Sequence, residues 1–205
     1  MLKVISFLNL FLLAIATASC ADNSYPIKEV TSGIYYHQGI HQDATEQNIG
    51  AIANVGFIIG EHCVAVIDSG GSYIEGTYLR QAIKEKTDLP ICYVINTHVH
   101  PDHIFGNAAF KNDKPEFIGN EKLPDFAIIA RQEFFAKTFK ETLGLAYKGV
   151  EFIPPTRTVS VDTPITLDLG NRKLILTAYP TSHTDNDLTV FDQKTKTLWT
   201  GIYYL

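Results

Sequence analysis

The chain has 205 residues, 45% of them hydrophobic and 19% charged, a makeup that fits one globular domain of ordinary composition. Its formal net charge of −5, with no run of lysine or arginine, excludes the basic footprint that nucleic-acid binding requires. No internal repeat, low-complexity tract or long linker interrupts the sequence.

The N-terminus stands apart from the rest. Lys3 supplies a positive charge, residues 4–15 are almost wholly apolar, and Ala16-Thr17-Ala18 offers small residues suited to cleavage. The apolar run is shorter than the roughly 20 residues that a bilayer-spanning helix needs. It reads as a secretory signal peptide over residues 1–20, so the protein is expected to be exported, periplasmic or secreted, with no integral membrane span. Cys20 follows small residues, and a lipid anchor there is the lesser alternative, because Thr17 stands where an aliphatic residue is usual.

Residues 21–205 form the expected domain. Apolar runs at 55–59 and 63–67 flank Gly60-Glu61-His62, the pattern of a hairpin. Ser69-Gly70-Gly71 reads as the turn after the second strand, and residues 73–86 have helical periodicity, with Ile74, Tyr78, Leu79 and Ile83 on one face. A strand over 91–95 ends at Asn96. Next comes a His-rich loop, then a helix beginning near His103 and a short strand at 116–118. Pro124 suits a helix's first turn, and 125–142 carries Phe126, Ile129, Ala130 and Phe134 near 3.6 spacing. Five strands follow, at 158–161, 165–167, 173–179, 188–191 and 197–201. Cys63 and Cys92 lie in apolar runs. Buried free thiols are the plainer reading, and a disulfide is the alternative that an exporting compartment allows.

The loop Thr97-His98-Val99-His100-Pro101-Asp102-His103 carries the chemistry. A strand that stops and releases three imidazoles and a carboxylate within six residues can aim them at one point. Zinc favours such donors, at about 2.0–2.2 Å. Ser182-His183-Thr184, after another strand-like run, supplies a further histidine. By ligand count, His98, His100 and His183 make a His₃ site with the fourth position open to water, the arrangement of catalytic zinc. Zinc brings such a water to a pKa of about 7, so hydroxide is available at neutral pH. Asp102 and His103, left over from that set, offer only two donors to any further metal. Two ligands hold a metal weakly, so one zinc is expected and a second is not. Asp102 is the candidate catalytic residue, orienting the attacking water or taking its proton. His37 and His41 read as a solvated loop beside Tyr35 and Tyr36, and His62 as an exposed turn residue. Phe126, Phe134, Phe135 and Phe139 fit either core packing or a cover over the pocket, and Trp199 reads as core.

The motif His98-x-His100-x-Asp102-His103 after a strand resembles the signature of the metallo-beta-lactamase superfamily, and the resemblance runs from about Gly33 to Gly201. The stretch from His98 to Phe110, with residues 183–188, is most similar in wording to the quinoprotein relay system zinc metallohydrolases. The resemblance implies an α/β fold, a metallo-beta-lactamase-like αββα sandwich, here with its second half incomplete. It places the family's strand-end acid at Asp68, expected to support a ligand loop by hydrogen bonding; a helix cap or turn is the other reading of that residue. It implies a small-molecule substrate of ester, thioester or lactam type, with His183 as the downstream zinc ligand. The chain departs from the family after Gly201, where Ile202 stands in place of a metal-bridging aspartate. No later histidine precedes Leu205. A truncation or frameshift near residue 202 is therefore expected, with a non-catalytic metal-binding chain as the alternative to an active hydrolase.

Overall fold

The computed structural model describes residues 25–201, apart from the side chains of residues 125–127. The expected leader at 1–20, Cys20, and Ile202 with the residues after it lie outside the described residues. The first sheet has seven strands in sequence order: β1 (Lys28–Thr31), β2 (Ile34–His37), β3 (Val55–Ile59), β4 (Val64–Ile67), β5 (Ile91–Ile95), β6 (Glu116–Asn120) and β7 (Arg157–Val159). β1 to β4 pair antiparallel and β4 to β7 parallel. The second sheet runs β11-β10-β9-β8, formed by β8 (Ile165–Asp168), β9 (Lys173–Ala178), β10 (Leu188–Asp192) and β11 (Thr197–Trp199), all antiparallel.

Side-chain alternation explains the layering. All four residues of β4 are buried, as expected for a strand covered on both faces. Ala65 and Ile67 point between the sheets with Ile58 and Ile95, against Leu174, Leu176, Leu188 and Val190 of the second sheet. Val64 and Val66 point the other way, with Phe57 and Val94, onto Leu79 and Ile83 of helix α1 (Tyr73–Lys86). The order helix, sheet, sheet gives three layers of the αββα sandwich. Among the described residues, no helix covers the outer face of the four-stranded sheet, and none is long and apolar enough to cross a membrane. Arg172, paired in the core with Asp192 of the same sheet, also ties the two sheets. Arg172 makes a forked bond to Asp192 (3.1 and 2.9 Å) and donates to the carbonyls of Ser32 and Ile59.

Several elements differ from their sequence reading. In α1, Ser72 caps the N-terminus by accepting from the Glu75 amide. The buried face carries Glu75, Leu79, Ala82 and Ile83, while Tyr78 is exposed. Glu75 is turned inward because Tyr25 Oη and the Gly71 amide both donate to its carboxylate. The helix expected near His103 is the single turn α2 (Pro101–Ile104), started by Pro101, and a 3₁₀ segment Asn107–Asp113 follows it. The helix expected over 125–142 is α3 (Ala130–Leu143), entered through a π-helical segment Leu123–Ile129. Phe135 and Phe139 pack edge-on against Phe105, whereas Phe134 is exposed. His37 is not solvated: it closes β2, is buried, stacks on Tyr25 and lies 3.0 Å from the Pro26 carbonyl.

Cys63 and Cys92 form a disulfide, against the expectation of free thiols. The register explains why they meet. Val64 pairs with Ile91 and Ala65 with Tyr93, so Cys92 is an extra residue bulged out of β5 beside the start of β4.

Candidate metal centre

The parallel strands deliver the site residues at their carboxyl ends. β4 leads directly into Asp68, and β5 leads into Asn96 and releases the loop from Thr97 to His103. The β9–β10 connection of the second sheet carries His183. The three histidines converge: His98 Nε2 lies 3.1 Å from His100 Nδ1, and His183 Nε2 lies 3.0 Å from that same atom. One ligand nitrogen from each falls within 4.8 Å of the others. In a zinc tetrahedron, nitrogens about 2.0–2.1 Å from the ion stand about 3.3 Å apart. The observed spacing is close to that, and three imidazole nitrogens facing one another have too few protons to satisfy all three. The donor set therefore fits a metal ion.

Asp68 organises this loop. Its Oδ1 accepts from the Thr97 amide (2.8 Å), and its Oδ2 accepts from the Thr97 hydroxyl (2.7 Å) and from His103 Nδ1 (2.7 Å). It is not a helix cap; Ser72 has that place. Its backbone is left-handed, φ 56°, a conformation in which aspartate is enriched among non-glycine residues. His103 presents its other nitrogen, Nε2, 3.5 Å from Asp102 Oδ2. Burial alone would lower the His103 pKa, but the neighbouring Asp68 and Asp102 charges push it up to about 9. His98 behaves in the opposite way. Burial, with His103, His100 and His183 close by, drives its pKa far below the ordinary histidine value, and burial also lowers that of His100. Neutral imidazole is the form that ligates a metal.

Buried amides hold the ligand loops. Asn96 and Asn107 exchange side-chain bonds (3.1 and 2.8 Å), and Ser69 Oγ donates to Asn107 Oδ1, joining the ends of β4 and β5 to the segment after α2. Asn120, at the end of β6, donates to the carbonyls of Tyr179 and Asp187, one on each side of the His183 turn. Within that turn the Asp187 carboxylate accepts from the amide and hydroxyl of Thr184. Sequence reasoning missed Thr97, Asn107, Asn120 and Asp187 as supports. For Thr97 the available signal was its position after a strand and directly before a ligand, and Asn120 likewise ends a strand, while Asn107 and Asp187 carried no such signal. Glu75 was missed as well. Burial pushes its carboxyl up to about 7, and Asp102 and His103 lie within electrostatic reach.

A cavity of about 610 Å³ opens over the histidines. His98, His100, Asp102, His103 and His183 form its polar side, and Val30, Ile34, Tyr36, Leu198 and Trp199 an apolar wall. Trp199 is half-buried, packed against the inter-sheet core and facing this cavity. His41 and His62 are exposed and do not line it.

Two stacked sheets with a histidine cluster at the ends of parallel strands define a metal-binding α/β protein. The metallo-beta-lactamase superfamily model matches residues 49–201, and the chain belongs to that family of metal-dependent hydrolases. No curated protein matches it in sequence. Among solved structures it is similar to a metallo-beta-lactamase from Pontibacter korlensis, at 18% identity and a TM-score of 0.60, covering 84% of this chain and 69% of that one. A metallo-beta-lactamase from Hirschia baltica gives 14% identity and a TM-score of 0.61 over 85% of this chain and 69% of its own. One from Cronobacter sakazakii with a HARLDQ motif gives 15% and 0.56, over 84% and 62%.

Proposed function

We propose that this chain is an exported zinc hydrolase acting on a small ester, thioester or lactam. The observation that carries the reading is the convergence of His98 Nε2, His100 Nδ1 and His183 Nε2 at the floor of the cavity. These three residues would hold the ion, and Asp102 and His103 would supply a weaker second position. Zinc held there would supply Lewis acidity toward a carbonyl oxygen and would lower the pKa of a water to about 7. The protein's own groups do the rest. The apolar wall of Val30, Tyr36 and Leu198 receives the non-reacting part of the substrate and limits water in the cavity. Asp102, on the same cavity surface, accepts a proton from the attacking water. Asp68 keeps His103 and the Thr97–His98 pair in place. Export is supported by the N-terminal apolar segment and by the Cys63–Cys92 disulfide, a bond kept in oxidising compartments.

A second reading, a metal-binding chain without turnover, is favoured by Ile202, which offers no ligand where the family resemblance leads to an aspartate. One assay separates the two. Chromogenic thioesters and lactams are offered to the purified chain before and after chelation, and to His100→Ala. Turnover lost in both controls supports the hydrolase. Binding of zinc with no turnover above the His100→Ala background supports the second reading.

A further inference from the structure

Thr97 does more than start the ligand loop. It is almost fully buried, follows β5 and touches the ends of three more strands. Its amide and hydroxyl both donate to Asp68 after β4, and its carbonyl accepts from the Leu188 amide that opens β10. Gly201, beyond β11, packs so closely on its side chain that a Cβ there would overlap the threonine Oγ1. The same Oγ1 lies 3.0 Å from His98 Nδ1.

Proton counting settles the direction of that last contact. A carboxylate only accepts, so the one hydroxyl proton of Thr97 is committed to Asp68 Oδ2. The remaining partner of Oγ1 must then donate, which places a proton on His98 Nδ1. Neutral imidazole carries one proton, so Nε2 is left with its lone pair, and Nε2 is the atom that faces His100 and His183. We propose that Thr97 is a positioning residue of the metal centre: its hydroxyl relays Asp68 to His98, selecting the Nδ1–H tautomer and aiming Nε2 as the donor. This rests on the His₃ reading above for its consequence, though not for its geometry. The relay gives Asp68 two outputs, one through Thr97 to His98 and one directly to His103, both on the single oxygen Oδ2. A hydrogen bond to the far nitrogen of a ligating histidine strengthens its donor power, and losing such a partner typically weakens metal affinity about 10–100-fold.

The test uses Thr97→Val, which keeps the shape and removes the hydroxyl, and Thr97→Ser, which keeps the hydroxyl and removes the methyl. Zinc affinity by chelator competition should fall about 10–100-fold in T97V and by less than about threefold in T97S. Equal losses in both, or none in T97V, overturn the proposal. Nitrogen-15 shifts of His98 in the metal-free wild-type chain provide a readout that needs no variant. An Nδ1–H tautomer is expected, and an Nε2–H tautomer overturns the relay. If the wild type bound no zinc, the His₃ reading would fall, while the tautomer measurement would still decide the role of Thr97.

Discussion

Replacing Cys63 and Cys92 together by alanine removes a cross-link between residues 29 apart in sequence. The chain-entropy relation for a loop of that length gives about 12 cal/mol/K, or about 3.6 kcal/mol at 25 °C. The stabilisation is expected to act on the unfolded ensemble, because β4 and β5 pair on both sides of the bulge through backbone bonds that do not involve the sulfurs. For a domain of this size each kcal/mol moves the melting temperature by about 2–4 °C, so the double variant should melt about 7–14 °C below the wild type. The assay is thermal unfolding of both proteins with and without a dithiol reductant. Reductant should bring the wild type down to the variant and leave the variant unchanged. A variant melting within about 2 °C of the wild type, or equal sensitivity of both proteins to reductant, would show that the cross-link does not stabilise the fold in this way.

Arg172→Ala leaves the Asp192 carboxylate buried without its guanidinium, and should cost about 3–5 kcal/mol in urea unfolding. Burial alone would raise the Asp192 pKa, but Arg172 and Thr195 hold it below the usual carboxylate range. Its contribution is therefore present above the unfolded value of about 3.9 and lost as pH falls through the folded one. The acid side of the stability profile should flatten in Arg172→Ala. His103 has the opposite sign. With its folded pKa pushed up to about 9, its contribution is complete below the unfolded value of about 6.5 and is lost as pH rises through the folded one. The metal-free chain should lose stability between about pH 7 and 10, and Asp68→Asn should shrink that slope, measured by urea unfolding across the range.

The metal loop was legible because its spacing and its place after an apolar strand carry the chemistry in one stretch of chain. The two-sheet architecture was legible in part for the same reason: β3, β4, β5 and the strands from β8 onward are apolar or alternating runs. The β1–β2 hairpin was not. β1 is four residues with three of them exposed, so it shows no buried period, and His37 looks polar until Tyr25 is seen stacked over it. Glu75 misled the helix reading, since a carboxylate at an inward position is only reasonable once Tyr25 and Gly71 are known to donate to it. The π-helical entry to α3 was hidden because one wide turn hardly disturbs a 3.6 pattern. The disulfide depends on a bulge, which is a property of strand register and leaves no mark in composition. Asp68 could be singled out through family resemblance, but its bonds to Thr97 and His103 join residues 29 and 35 positions away.

Whether His98, His100 and His183 form one tight zinc site is decided by the metal content of the purified chain after gel filtration. About one zinc per folded chain is expected, lost in His98→Ala and in His183→Ala. A folded, monodisperse chain that carries no metal, or alanine variants that keep it, would mean that these three histidines are not the metal site.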